Sequence, residues 1–476
     1  MSKFNVVWFL GLLFLAGALG WALVYWPLAV LGLAALVFLG IIFYWRTETA
    51  FYFLVAYLPF QLALNLAADI DLLSGRVLIL LLFLVWLIKI IRTREISIIK
   101  NRAWVGAILV LAANFISLLA AQNQIWGARK WLVFASVFPL FFLTSYFIND
   151  LKKVKKLLLV IGGSAALAAL VALGQFLAQF VWGLGKIMSF WGGQIAPWFL
   201  GQTFAQSVTQ NPSWLVNLGG QTIMRTIGFF PDPHMLAFFI GLTAPLSLVL
   251  MFSENGRRAR WLFIVCCLLF AVLLLTFSRG GYLGLAFGLV AMFVFAWPRF
   301  DRKEKVFFSS CLILASVIIL LAGSPVMGRF FSSFDLAEGS NLGRLAIWQE
   351  SWTVFKDSPI LGVGLGNYPL ALDFNANYRS AVTSHNLYLD ILAETGLVGL
   401  VAWVWFFYSF FAGVIKKIKQ RDKEIALLGA GLLGGGIYFL THAFFETAIF
   451  NPTILAYLMI VAGLGVSSLE EADNKG

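Results

Sequence analysis

The sequence predicts an all-α polytopic membrane protein of about 12–14 transmembrane helices, folded as one integral membrane domain over residues 1–476. Three observations carry this. Hydrophobic residues make up 61% of the chain and charged residues 12%, with a mean hydropathy of +0.90, far outside the range of a soluble domain. Apolar runs of about twenty residues recur along nearly the whole chain, each long enough to cross a ~30 Å hydrocarbon core as a helix. They lack the period-two alternation of barrel strands, which leaves the helix as the way for backbone groups to satisfy one another in lipid. Thirdly, most Lys and Arg residues stand in short connections between runs, the pattern that orients a membrane protein.

In chain order the candidate spans are 5–23, 28–45, 50–66, 77–91, 104–121, 131–148, 157–182, 234–253, 261–277, 281–297, 306–322, 396–415, 425–441 and 452–468. The first run carries a lone Lys3 and invites comparison with a signal peptide. It has no clear small-x-small cleavage site and a second run follows Pro27, so a retained first helix is the better reading. With the N-terminus cytoplasmic, alternation puts Lys89 to Arg102, Lys152 to Lys156, Arg257 to Arg260, Arg299 to Lys305 and Lys416 to Lys423 on the cytoplasmic side. With Lys3, Arg46 and Lys475, that side holds 24 of the 34 Lys and Arg residues, although the opposite loops are much longer. Both termini are therefore expected inside. Orientation accounts for the formal charge of +12, so membrane lipids are expected partners and nucleic acid is not. Cys266, Cys267 and Cys311 all fall inside predicted spans, which argues against a disulfide framework or a zinc site.

Two external segments are too long to be turns. Residues 183–224 carry Trp191, Trp198 and Trp214, rings suited to the headgroup region. Residues 322–384 form the large extracytoplasmic loop, in which Trp348, Trp352 and Phe355 recur at helical spacing. That spacing predicts a helix lying against the membrane or the bundle.

Charged side chains at the mouths of membrane helices are expensive, and so are candidates for function. Arg279 stands in the short turn Phe277-Ser278-Arg279-Gly280-Gly281, where two glycines allow a tight reversal and nothing structural requires an arginine. It either snorkels to headgroups or holds a phosphate, whose oxygens match the guanidinium fork. Arg225 precedes the helix start Pro231-Asp232-Pro233-His234 and carries the same two readings, with His234 a polar helix-start residue. Arg344 lies in the large loop, and His385 lies where that loop returns to the membrane in Ser384-His385-Asn386. An imidazole there exchanges a proton near neutral pH. Glu394 is nine residues further on, which on an unbroken helix means about 180° of rotation and ~13 Å of rise, so it is expected to pair with another helix instead. The string Gly362-Val363-Gly364-Leu365-Gly366 is not followed by Lys-Ser/Thr, and a flexible turn is the expected reading.

The stretch Arg344…Trp348…Asp357-Ser358-Pro359…Gly362-Val363-Gly364-Leu365-Gly366-Asn367-Tyr368…Ser384-His385-Asn386…Glu394-Thr395-Gly396…Gly399 resembles the signature region of the O-antigen ligase and polymerase superfamily of bacterial inner membranes. Arg225…Gly228…Pro233…Ala237 and Ser278-Arg279-Gly280 extend the resemblance to more than a third of the chain. His234 departs from it, since the family often has Asn there. The resemblance implies a GT-C-like glycosyltransferase architecture without a cofactor. The implied donor is a glycan on polyprenyl (undecaprenyl) diphosphate, and the acceptor a lipid-linked or other sugar hydroxyl outside the cytoplasm. It implies a metal-independent, inverting transfer. The roles that follow are His385 on the acceptor hydroxyl, Arg225, Arg279 and Arg344 at the donor diphosphate, and Asn386, Glu394 and His234 in support. A ligase acting on lipid A-core, a repeat-unit polymerase and a protein O-oligosaccharyltransferase share these features. The single loop bearing the whole signature favours the ligase. A transporter also fits the span count, but its polar sites belong near the bilayer midplane rather than at helix mouths.

Overall fold

The structure, a computed structural model, describes residues 27–67, 70–94, 104–209, 212–310, 339–376, 378 and 382–469. The predicted span 5–23, most of 306–322, Cys311 and the first part of the large loop lie outside these residues. The protein is an all-α polytopic membrane protein. Among the described residues eight helices are long and apolar enough to cross a membrane, nine if one bent pair counts as a single span. Two shorter apolar helices lie at Val105–Ala120 and Pro452–Val466.

We number the principal helices α1 (Pro27–Trp45), α2 (Thr47–Tyr57), α3 (Ser74–Thr93), α4 (Val105–Ile116), α5 (Gln124–Val137), α6 (Pro139–Phe147) and α7 (Leu151–Trp182). They continue as α8 (Pro233–Ser253), α9 (Gly256–Leu275), α10 (Arg279–Ala296), α11 (Gly339–Asp357), α12 (Leu387–Ile418), α13 (Lys423–His442) and α14 (Pro452–Val466). Each predicted span within the described residues overlaps one of them over most of its length, except 131–148, which takes in the end of α5 and all of α6, and the third. Instead of 50–66, the eleven-residue α2 meets α1 at a bend of 119° and ends in a short turn, Leu58–Phe60. Pro59 stops the helix, and the alternating sequence after it folds as an antiparallel hairpin, Ala63–Ala67 with Ile70–Leu73. A second hairpin, Leu215–Leu218 with Gln221–Met224, closes the 183–224 segment.

The basic loops gather at one end of the bundle. Lys153 reaches Glu48 at 3.9 Å, Lys155 reaches Glu424 at 2.7 Å and Glu254 at 3.8 Å, and Lys423 reaches Glu304 at 2.7 Å. Helix α8 is apolar all round and almost entirely buried, the pattern of a central span. It packs on α7, α9, α10, α13 and α14. The α10–α13 contact is the most extensive. A Cβ on Gly288 would lie 2.6 Å from the Gly434 carbonyl oxygen, and one on Gly284 would lie 2.9 Å from that of Tyr438. This Gly-x-x-x-Gly face lets two backbones touch where lipid supplies no hydrophobic drive.

Helix α12 is broken at Gly396, whose φ of 62° and ψ of −159° are open to glycine. The break begins where the predicted span 396–415 begins. The loop before it repairs the ladder: Leu397 N donates to Pro359 O at 2.9 Å, and Val363 N donates to Ala393 O at 2.8 Å. Gly362, Gly364 and Gly366 all have positive φ, and a Cβ on Gly362 would lie 2.4 Å from the Glu394 carbonyl carbon. The glycine string forms turns, as expected, and its backbone lies tightly against the chain at Glu394.

Gly288→Ala is expected to lower the thermal unfolding midpoint in detergent, a loss of about 1–3 kcal/mol from overpacking. Gly163→Ala, whose new methyl would meet nothing within 4 Å, should leave the midpoint in place. Equal midpoints for the two variants would refute the close-packing account.

Candidate active site

At the opposite end from the basic loops, two polar clusters meet. The first begins with the start of α12. Asn386 Oδ1 accepts from Tyr388 N at 3.0 Å and Leu389 N at 3.2 Å, an N-cap that fixes where the helix starts. The residue before it, His385, is held at φ 52°, a left-handed conformation that a non-glycine residue keeps only when its surroundings impose it. They do so through Asp390. One carboxylate oxygen accepts Ser384 N at 2.8 Å, and the other accepts the Thr447 hydroxyl. Trp348 Nε1, from α11, donates to Ser384 O at 3.0 Å, and Leu387 N donates to Ala443 O at 2.9 Å.

These ties bring His385 against Glu446, on the turn between α13 and α14. His385 Nδ1 lies 3.0 Å and 3.1 Å from the two carboxylate oxygens. With Nδ1–H donating to the carboxylate, Nε2 carries the lone pair, and the His385 side chain is 40% exposed against 11% for Glu446. The charge of Glu446 and its hydrogen bond hold the imidazole above its ordinary pKa, against burial. Burial pushes the Glu446 carboxyl up, but the His385 charge and hydrogen bond, joined by Arg344, outweigh it and leave it below the ordinary range. The pair is poised to accept a proton on the ring and keep it.

The second cluster is a hydrogen-bonded chain through α8, α10 and α13. Tyr438 OH donates to Ala237 O at 2.7 Å, so it accepts from His442 Nδ1 at 3.3 Å. His442 Nε2 then accepts from Ser278 Oγ at 3.1 Å. Ser278 Oγ in turn accepts from Gly281 N at 3.2 Å and from His234 Nδ1 at 2.9 Å. The tautomers follow from the fixed donor at one end, and they leave His234 Nε2 as an acceptor. Asp232 caps α8 through His234 N and Met235 N, and burial, with the charge of Glu446, pushes its carboxyl up to about 6.

The arginines stand around these clusters. Arg225 is buried, with Nε donating to Thr276 O at 2.6 Å and Nη1 to Ser213 O at 2.9 Å, so it braces the turn that carries Arg279. Arg279 is the buried first residue of α10, next to Ser278. Arg344, on α11, acts electrostatically on both His385 and Glu446. Glu394 is not part of the His385 cluster, because it pairs with Lys130 of α5 at 2.7 Å. Two of the tryptophans expected at headgroups serve the site instead. Trp191 Nε1 donates to Gly228 O at 2.8 Å and Trp214 Nε1 to Pro231 O at 2.7 Å, which fixes the loop between Arg225 and His234; Trp198 remains exposed.

Sequence reasoning missed Glu446, Asp390 and His442. Glu446, like Arg225 and Arg279, stands at a helix mouth, but nothing in the sequence places it beside His385, 61 residues away. Asp390 stands in the first turn of α12 and His442 at the end of α13, and an ionisable group buried at a helix mouth is itself a signal of function.

Residues 264–404 match a family model described as O-antigen ligase. The match takes in Arg279, Arg344, His385 and Glu394, and it ends before His442 and Glu446. The chain is also similar to the exopolysaccharide production protein ExoQ of Rhizobium meliloti (strain 1021), with 25% identity over 247 residues. That alignment covers 48% of this chain and 54% of the relative, so the chain spans about half the length of the curated relative it matches. Both findings support the O-antigen ligase/polymerase family.

The chain has only three histidines, so their ring protons can be followed individually by NMR in nanodiscs. Glu446→Gln removes the charge that favours the imidazolium, and the His385 titration midpoint is expected to fall. An unmoved midpoint would refute the pairing.

Proposed function

We propose that this chain, a bacterial membrane protein matching the O-antigen ligase/polymerase family, is an O-antigen ligase-like glycosyltransferase. It moves a glycan from a polyprenyl (undecaprenyl) diphosphate carrier to an acceptor hydroxyl such as that of lipid A-core. In this reading it lies in the inner membrane with both termini cytoplasmic and the site facing the periplasm. The observation that carries the proposal is the His385–Glu446 pair, a base with its orienting carboxylate 3.0 Å away.

The chemistry runs as follows. His385 Nδ1–H stays on Glu446, and Nε2 takes the proton of the acceptor hydroxyl as its oxygen attacks the anomeric carbon. The bond from that carbon to the diphosphate oxygen breaks on the opposite face, so the configuration inverts. The departing diphosphate gains negative charge, and in this reading Arg279 stabilises it. Arg225, engaged with Thr276 O, holds the Arg279 turn and adds its charge to the site. Arg344 adds a third positive charge beside the pair. The energy comes from the lipid diphosphate bond, and the arginines take the role that a divalent metal has in other phosphate sites.

A second reading, a polymerase joining lipid-linked repeat units, is favoured by the relative's description as an exopolysaccharide production protein. Both use the same donor and the same base. The glycan profile of a deletion strain separates them, since a lost ligase leaves long lipid-linked polymer and a lost polymerase leaves single repeat units.

In reconstituted membranes, His385→Ala is expected to lower turnover about 10²- to 10⁴-fold while folding normally. Near-normal turnover would end the assignment of His385 as the base. Arg279→Ala should weaken donor binding, and Arg279→Lys should restore it only in part because the bidentate fork is lost. Donor affinity equal to wild type in Arg279→Ala would remove the phosphate role.

A further inference from the structure

A cleft of about 620 Å³ opens at the same end of the bundle, and the mechanism above makes no use of it. Its volume falls in the ordinary range of ligand sites. The cleft shares three chain segments with the candidate active site. Pro231 lies on the loop between Arg225 and His234, Thr383 stands two residues before His385, and Asn451 to Thr453 follow Glu446. Glu394 also lines it, about half a turn and ~13 Å along α12 from the His385 end. The cleft therefore lies on the other flank of the first turns of α12.

Its chemistry narrows the occupant. On α5, Trp126, Arg129 and Lys130 stand at i, i+3 and i+4 and share one helix face. The Trp126 ring meets the Tyr378 ring edge-on at 5.6 Å, and the Arg129 guanidinium lies 5.2 Å from the Tyr378 centroid. Lys130 is neutralised by Glu394 and sits 3.2 Å from the Phe450 centroid. A prenyl or acyl chain needs a continuous apolar wall, and Asp71, Arg76 and Arg129 interrupt this one. Arg76, Arg129 and Lys130 face two carboxylates, Asp71 and Glu394, which leaves little net positive charge for a diphosphate. A carbohydrate suits both features, because its ring faces stack on aromatic side chains and its hydroxyls bond to guanidinium, amide and carboxylate groups.

We infer that this cleft binds the acceptor glycan, with Trp126, Tyr378 and Arg129 as its recognition wall. The inference rests on the transferase reading, which puts the donor diphosphate at Arg279. Thr383, two residues before His385, lines the cleft, so a glycan that extends past it brings its terminal hydroxyl toward the base.

The test uses the full-length protein in nanodiscs and two measurements. The first is calorimetric binding of dephosphorylated core oligosaccharide, released by mild acid from the lipopolysaccharide of the source bacterium. Trp126→Ala and Arg129→Ala are each expected to weaken binding about tenfold, the scale of one lost charge-assisted contact. Trp126→Phe should recover most of the loss, which separates stacking from misfolding. Trp405→Ala, on a distant exposed part of α12, should bind as wild type does. The second is transfer, where the cleft variants should raise KM for the acceptor and spare KM for the donor. Wild-type affinity in Trp126→Ala and Arg129→Ala, or a rise in donor KM instead, overturns the inference even if His385→Ala abolishes transfer. Glycan binding that depends on the cleft, in a protein that transfers nothing, keeps the cleft as a carbohydrate site and ends the transferase reading.

Discussion

The arrangement of the site depends on one buried carboxylate. Asp390 accepts from Ser384 N with one oxygen and from the Thr447 hydroxyl with the other. Those two partners are the chain neighbours of His385 and Glu446, which lie 61 residues apart in sequence. An isolated carboxylate in such surroundings would be too costly to keep ionised, and hydrogen bonds on both oxygens are the ordinary compensation. Without this clamp His385 has no reason to hold φ 52°, and Glu446 has no reason to stay within 3.1 Å of it. The strained histidine and its carboxylate are thus a single feature, maintained by a residue on the helix that follows one of them.

A second constraint explains how so polar a cluster sits at helix mouths. Backbone groups left unpaired near hydrocarbon are expensive, so each helix break must be filled by other backbone or by side chains. At Gly396 the carbonyls of Pro359 and Ile360 fill it, and glycines 362 and 396 let the two strands of backbone approach that closely. At the Phe277–Ser278 turn, Ser278 caps α10 through Gly281 N and Arg225 satisfies Thr276 O. The same serine carries the chain to His234 and His442. Local needs of the backbone and the geometry of the site are met by the same residues.

This duality also sets what was legible in the sequence. Hydropathy located every span within the described residues except 50–66, because burial in lipid imposes long apolar runs wherever a helix crosses. Pro59 and the short alternation after it carried the missing information, but eleven residues of hairpin are weak beside a twenty-residue span. Arg225, Arg279 and His385 were legible because a charge or an imidazole at a helix mouth is conspicuous. Their partners were not, since Glu446 becomes meaningful only once α13 and α14 bring it back beside α12. The separation of Glu394 from His385 followed from helix geometry alone, and the Lys130 pair occupies its carboxylate. The roles of Trp191 and Trp214 were hidden for the opposite reason: an indole suits a headgroup region and a buried N–H···O=C bond equally well.

His385 and His234 differ in what stands behind them. His385 is backed by a carboxylate, so its ring can take up a full proton and be stabilised as the cation. His234 is backed by the Ser278 hydroxyl, which is itself committed to His442 and Gly281 N, and a neutral hydroxyl gives an imidazolium far less support. In the transfer we propose, which removes one proton from an acceptor and leaves a diphosphate unprotonated, the carboxylate-backed ring is the better suited of the two to be the base. His234, with its Nδ1 committed to Ser278 Oγ, has Nε2 left to accept a hydrogen bond. The environment of each imidazole, more than its distance from the arginines, divides the work between them.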